Sequence, residues 1–205
     1  MDTLDRSALE ELRSLGSATV YEAAGRGKAL AGFIAVDPSL AVAGPAWPVV
    51  SPPGDNLAIH RAIAGASKGD VLVVDVGGCT SAGHWGEITT VAAQARGISG
   101  LVINGTVRDS RAIRARSFPV FHRGLCIFAA TKVAPPRDAP KTLDFEGCTI
   151  QAGDLVVADV DGIAVVEAGR AVEVLEAARR RAADEDETMK RLKAGATTLE
   201  IFGWR

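Results

Sequence analysis

The stretch GDVLVVDVGGCTSAGHWGEITTVAAQARGISGLVINGTVRD, residues 69–109, decides the fold. Residues 71–76 (VLVVDV) and 100–105 (GLVING) are apolar almost without a break, the pattern of strands buried on both faces. Gly77-Gly78 closes the first run. Residues 87–96 between the runs read as a helix that stops at Gly97. After the second run, residues 107–115 (VRDSRAIRA) read as a turn and a helix, followed by a short strand, PVFHRG.

Working outward, Leu4, Leu9, Leu12 and Leu15 recur at near-helical spacing and predict an opening amphipathic helix. Ser17 or Thr19 is placed to cap a second short helix through Tyr21, Glu22 and Ala23, ended by Gly25 and Gly27. Residues 40–51, LAVAGPAWPVVS, carry two prolines and suit a strand at a sheet edge. Pro53-Gly54-Asp55-Asn56 makes a turn, with Asn56 set to cap the helix LAIHRAIAGA. Downstream, GDLVVADVDG at 153–162 echoes GDVLVVDVGG at 69–78 and suggests an internal repeat. The strand IAVVEA follows, then a charged helix over about 169–194 and an apolar tail, TTLEIFGW, that needs burial, a neighbouring subunit being one place for it. Strands alternating with helices in this way predict a layered α/β fold in one domain spanning 1–205.

The bulk composition narrows the function classes. The chain has 205 residues, 47% of them apolar and 23% charged, which excludes a disordered or collagen-like protein. The formal net charge of −2 and the scattered Lys and Arg offer no footprint for a phosphate backbone, so nucleic acid is not an expected partner. Residues 1–15 lack the basic-then-apolar pattern of a signal peptide, and no apolar run reaches the length of a membrane span. Cys79, Cys126 and Cys148 are odd in number and lie in no CxxC spacing. They point to a reducing, cytoplasmic setting, with neither a disulfide frame nor a zinc site.

Polar groups gather at three places. The first runs from Gly77 to Glu87, a glycine-rich link into a helix whose free N–H groups, around Ile88 and Thr89, would seat a carboxylate. The second, Asn104 to Asp109, follows the second buried strand directly. The third is the acidic run Asp184-Glu185-Asp186-Glu187. Arg108 presents a planar fork for a carboxylate or a developing enolate oxygen. Asp109 offers a hard oxygen to Mg²⁺ or Mn²⁺, ions that need few protein ligands, and Glu87 could complete the shell directly or through water. A plainer reading makes Arg108-Asp109 a surface pair with Asp109 as helix cap. His84 invites a metal reading as well, against the ordinary one of packing; His60 and His122 look structural.

PGDNLAIHRAI, GDVLVVDVGG and GEITTVAAQARGISGLVINGTVRD together closely resemble the family of 4-hydroxy-4-methyl-2-oxoglutarate aldolase and the regulator of ribonuclease activity A, the RraA-like family. SATVYEAAGR, GPAWPV, GDLVVADVDGIAVV and AGATTLEIFG extend the likeness over nearly the whole chain, and Glu87 and Arg108 stand 21 residues apart, similar to the family's spacing. The resemblance implies an αββα sandwich assembled as homotrimers or homohexamers. Its sites would lie between subunits, with a C-terminal helix reaching a neighbour. It implies a metal-dependent pyruvate aldolase that also decarboxylates oxaloacetate, using Mg²⁺ or Mn²⁺. Asp109 would bind the ion and Glu87 would hold water in its shell. Arg108 would bind the 2-oxo oxygen and stabilise the enolate, with Gly86, Ile88 and Thr89 seating the pyruvate carboxylate. An acidic residue from a neighbour, Glu185 first and Glu187 next, would complete the site. Trp85, His84 and Arg123 are candidates for the far end of the substrate.

The same family contains ribonuclease inhibitors, so a regulatory binding protein is the alternative expectation. A nucleotide-binding fold is not expected, because neither GxGxxG nor GxxxxGK[ST] occurs.

Overall fold

The computed structural model describes residues 4–135, 140–145 and 147–205, so the first three residues of the N-terminal reading lie outside the described residues. The chain opens with helices α1 (Arg6–Leu15) and α2 (Ser17–Ala23), short strands β1 (Lys28–Leu30) and β2 (Ile34–Ala35), and the long β3 (Val42–Val50). Then come α3 (Leu57–Gly65), β4 (Val71–Trp85), α4 (Glu87–Ala95), β5 (Gly100–Val107), α5 (Ser110–Ala115), β6 (Val120–His122) and β7 (Gly124–Leu125). A hairpin, β8 (Thr142–Phe145) with β9 (Cys148–Gln151), leads to β10 (Leu155–Ala158) and β11 (Ile163–Val166). A single 3-10 turn precedes α6 (Ala171–Lys193), and α7 (Thr198–Phe202) closes the chain.

The order across the main sheet is β1-β11-β10-β3-β4-β5-β6-β2, with β7 beside β5. The run β3-β4-β5-β6 is parallel and β3-β10-β11-β1 is antiparallel. Alternate side chains feed three cores. Leu72, Val74 and Val76 of β4 pack with Leu101 and Ile103 of β5 against Ile59, Ile63, Ala93 and Ile113 of α3, α4 and α5. Val71 and Val73 face the other way, into a core shared with Val156 and Ala158 of β10 and with the hairpin's Leu143, Phe145 and Ile150. Leu155 and Val157 turn outward onto Leu12, Val20, Val174 and Leu175 of α1, α2 and α6. The sheet therefore doubles over at β3 and yields helix, sheet, sheet, helix: an αββα sandwich.

The placement of β3 corrects the edge-strand expectation. It lies inside the sheet, pairing with β10 up to Pro45↔Leu155 and with β4 from Ala46↔Val71. Ala46 exchanges both backbone bonds with the β10 side, through Asp154 O and Gly153 N. Pro48, two residues on, turns its nitrogen to that same side past the end of the ladder, and Pro45 faces the β4 side one residue before that ladder begins. Neither proline removes a sheet hydrogen bond.

Three local expectations also change. The first buried strand does not stop at Gly77-Gly78. Those glycines, at φ 65° and 67°, carry β4 through bulged register shifts to Trp85. Asn56 occupies the cap position of α3 but its amide donates to His84 O (2.9 Å), while Asp55 accepts the Leu57 N–H. Neither Ser17 nor Thr19 caps α2; Ser17 binds Asp159 through its N–H (2.7 Å) and hydroxyl (2.6 Å). The sequence echo proves local. Asp70 and Asp154 each accept the N–H three residues back, and Asp75 and Asp159 each accept the N–H two residues on. Yet β4 continues in a parallel sheet, whereas β10 turns back as a hairpin with β11. Among the described residues no helix is long and apolar enough to cross a membrane.

Candidate functional site

The carboxyl ends of β4 and β5 lie side by side, and the Arg108 N–H donates to Trp85 O at 2.8 Å. The Arg108 side chain runs over two glycines: a Cβ at Gly83 would stand 3.1 Å from Arg108 Cβ, and one at Gly86 would stand 3.1 Å from its Cγ. A Cβ would meet other atoms sooner, Cys126 O at Gly83 and Asp109 Oδ2 at Gly86 (2.5 Å), so a larger residue at either position would disturb the packing around Arg108-Asp109. Asp109 adopts φ 57°, the left-handed region that costs a non-glycine residue energy. It sits at the cap position of α5 without capping it, so the plain helix-cap reading does not hold. Its Oδ2 instead accepts the Glu87 N–H (3.1 Å), with Arg108 Nε 3.6 Å away.

Glu87, the first residue of α4, is held through one oxygen. Its Oε1 accepts from Arg116 Nε (3.1 Å) and Nη2 (2.6 Å). Arg116 follows α5 and was not singled out by the sequence, since nothing local links it to a residue 29 positions earlier. Among the described residues no donor reaches Asp109 Oδ1 or Glu87 Oε2. Both residues line a cleft of about 620 Å³ with Arg111, Ala112, Ala115 and Arg116.

The other side of Arg108-Asp109 borders a cavity of about 120 Å³ that also meets His60, Gly86, Ile88, Thr89 and Lys132. Gly86 is the cap residue of α4 and has no side chain to accept from the helix start. The Glu87 N–H is taken by Asp109, and the N–H groups of Ile88 and Thr89 have no acceptor among the described residues. That is the geometry of an anion seat at a helix N-terminus. Thr89 and Thr90 hydroxyls both donate to Gly86 O, which fixes the turn. Burial, and then the Lys132 charge, hold the His60 imidazole below its ordinary range beside this cavity.

His84 is fully buried and both ring nitrogens are engaged: Nε2 accepts from Gly54 N–H (3.1 Å) and Nδ1 faces Thr106 O (3.4 Å). Burial pushes its pKa down. The packing reading of His84 stands and the metal reading falls. Trp85 is likewise buried, with Nε1 donating to Thr90 Oγ1 (2.7 Å), so its ring serves the core more than a substrate end. Arg123 lies over the Phe33 ring at 3.9 Å and donates to Ala31 O.

The profile of the RraA-like family, described as Aldolase/RraA, matches residues 17–165. The chain belongs to the RraA-like family. Every residue of the Arg108-Asp109 cluster falls inside the matched region, and the acidic run at 184–187 falls beyond it. A protein of Halalkalibacterium halodurans, provisionally named 4-hydroxy-4-methyl-2-oxoglutarate aldolase, is 39% identical over 161 residues, covering 78% of this chain and 76% of the relative. A solved structure of an uncharacterized protein from Pseudomonas syringae pv. tomato superposes with a TM-score of 0.84 at 31% identity, over 95% of this chain and 92% of that one. RraAS2 of Streptomyces coelicolor, described as an unusual member of the RNase ES inhibitor RraA family, superposes with a TM-score of 0.80 at 27% identity, covering 91% and 98%.

The RraA-like fold brings Glu87, Arg108, Asp109, Gly86, Ile88 and Thr89 together within one chain. It does not bring Glu185 or Glu187 to them. These lie on the distal half of α6, where Glu185 pairs with Arg181 (2.9 Å) and Glu187 with Lys190 (3.4 Å). The tail stays exposed: Phe202 and Trp204 stack on each other at 4.7 Å. Cys148 is buried, whereas Cys79 and Cys126 are half-buried.

Proposed function

We propose that this chain is a divalent-metal-dependent aldolase that releases pyruvate from 4-hydroxy-4-methyl-2-oxoglutarate or a related 4-hydroxy-2-oxo acid, and that also decarboxylates oxaloacetate. One observation carries the reading. Two carboxylates, Asp109 and Glu87, line one cleft, each with one oxygen held by a protein donor and the other left without one. Among the described residues no cluster of three or more His, Cys, Asp or Glu could hold an ion. Two lone carboxylate oxygens fit Mg²⁺ or Mn²⁺, which take one or two carboxylates and keep several waters. Asp109 would bind the ion and Glu87 would order water around it.

An ion there would draw charge onto itself from the 2-oxo oxygen and acidify bound water. The Ile88 and Thr89 N–H groups hold the substrate's carboxylate at C1, with Gly86 allowing the close approach. The Arg108 guanidinium, laid over Gly83 and Gly86, donates to the 2-oxo oxygen. In retro-aldol cleavage the 4-hydroxyl gives its proton to a water in the cleft, C4 leaves as a carbonyl product as the C3–C4 bond breaks, and that bond's electron pair becomes the enolate whose oxygen Arg108 faces. Oxaloacetate breaks the same bond and loses CO₂. Protonation at C3 gives pyruvate in both cases. Glu185, or next Glu187, supplied by a neighbouring subunit in a homotrimer or homohexamer, would complete the site. The similarity to proteins named as aldolases supports the lyase class.

The test is pyruvate release from both substrates with Mg²⁺, with EDTA, and with Asp109→Ala. Metal-dependent turnover that collapses in the variant supports the reading. No turnover above the metal-only background sinks it for these substrates, and leaves a regulatory binding protein, like the inhibitor relatives, as the better account.

A further inference from the structure

The turn at residues 53–56 does more than reverse the chain. Asp55, 4% exposed, accepts four hydrogen bonds. Its Oδ1 takes the Leu57 N–H at the start of α3 (2.9 Å). Its Oδ2 takes the Thr131 hydroxyl (2.8 Å) and the N–H groups of Val133 (2.7 Å) and Ala134 (3.3 Å). Backbone bonds from Thr131 N to Gly54 O and from Asn56 N to Thr131 O close the same junction. The turn also grips the end of β4, through Gly54 N–H to His84 Nε2 and Asn56 Nδ2 to His84 O. It thus joins two walls of the cavity beside Arg108: the β4 end on one side and the segment around Lys132 on the other.

Burial does not hold that segment. Ile127, Phe128 and Val133 are 85%, 67% and 82% exposed, so little apolar contact fixes it within this chain. Residues 131 and 133 are pinned to one carboxylate oxygen, and Lys132 between them faces the cavity with His60. We infer that Asp55 is a positioning residue of the candidate site, holding the 131–134 segment so that Lys132 stays at the cavity lined by Arg108, Ile88 and Thr89. The inference rests on the proposed site, but not on its turning over a particular substrate. An ionised carboxylate is needed for this, because three donors from one segment converge on a single oxygen. Asparagine can accept from Leu57 or from the segment, but it presents its own N–H groups to the remaining donors.

The experiment is a double-mutant cycle of Asp55→Asn with Lys132→Ala, read two ways: KM and kcat for pyruvate release, and calorimetric titration with oxalate in the presence of Mn²⁺. Asp55→Asn is expected to raise KM and weaken oxalate binding by roughly tenfold, with kcat changing less. Both effects should vanish when Lys132 is already alanine, which a purely structural role would not produce. Equal losses in the two backgrounds, or none in either, overturn the inference. If Asp55→Asn does not fold, Thr131→Val removes one of the three segment donors and is expected to shift the same quantities in the same direction, by less; no shift overturns the inference. A wild-type chain that binds oxalate without turnover defeats the aldolase reading and leaves the cycle to be read by binding. One that neither binds nor turns over defeats both.

Discussion

Asp109 Oδ2 accepts the backbone N–H of Glu87 at 3.1 Å, across 22 residues of chain. The bond ties the start of α4 to the link between β5 and α5, and it satisfies one of the N–H groups that a helix start leaves without an intrahelical partner. Gly86 sets the clearance: a Cβ there would lie 2.5 Å from that same Oδ2. Its φ of −161° suits any residue, so alanine meets a steric limit and no backbone one. Gly86→Ala is therefore expected to cut kcat/KM for pyruvate release by about 100-fold through displaced side chains. The circular dichroism spectrum should be unchanged. Activity within a few-fold of wild type would show that the close approach is not needed.

Arg116 grips Glu87 through two bonds to one oxygen, in a pair that is partly open to solvent. Such exposed pairs contribute little to stability, less than about 1 kcal/mol. Arg116→Ala should leave the thermal midpoint almost unmoved while raising the Mg²⁺ concentration for half-maximal activity roughly tenfold, as removal of an outer support does at metal sites. A lowered midpoint with unchanged Mg²⁺ dependence would mark the pair as structural.

Acid stability should depend on Asp55. Burial alone would raise its pKa, but the Leu57 and Val133 N–H groups, the Thr131 hydroxyl and the Ala134 N–H outweigh burial and hold it at about 2, below its ordinary 3.8. A folded-state value below the unfolded one means stability that is present above about pH 4 and is lost as pH falls towards 2, about 2 kcal/mol in all. Urea unfolding from pH 7 to 2.5 should show a shallower acid decline for Asp55→Asn than for wild type. His84 works in a higher window. Burial lowers its pKa from 6.5, so the unfolded chain takes the proton first and stability falls as pH drops below about 6.5.

If a neighbour supplies Glu185, Asp109→Ala and Glu185→Gln subunits should complement one another. Each variant alone is expected to be inactive or nearly so, while co-expressed mixtures should recover up to about a quarter of wild-type turnover, from sites built of one intact half of each. No recovery in verified mixed oligomers would place both residues' roles in one chain or remove Glu185 from the site.

The buried strands β4 and β5 were legible because their apolar runs are local, and Glu87, Arg108 and Asp109 were legible because one strand-helix-strand unit carries all three. What the sequence hid depends on pairing at a distance. The interior place of β3 follows from β10, more than a hundred residues downstream, ending its ladder where β4 begins. Glycines 77 and 78 read as a stop, although their left-handed turns let β4 keep its neighbour through the bulges. Arg116 and Asp55 look like ordinary surface and turn residues until the fold sets them against Glu87 and Thr131.

The doubly bonded oxygen of Glu87 has a consequence for which cation could be used. Oε1 of Glu87 already accepts two bonds from Arg116, so Glu87 could chelate an ion with both oxygens only by giving one of them up, whereas Asp109 Oδ2 carries a single bond. Calcium favours roughly seven oxygens, commonly with a chelating carboxylate among them, whereas magnesium accepts single oxygens and keeps its waters. Discrimination against calcium would then be set at Glu87 by the guanidinium of Arg116, a group that need never touch the ion.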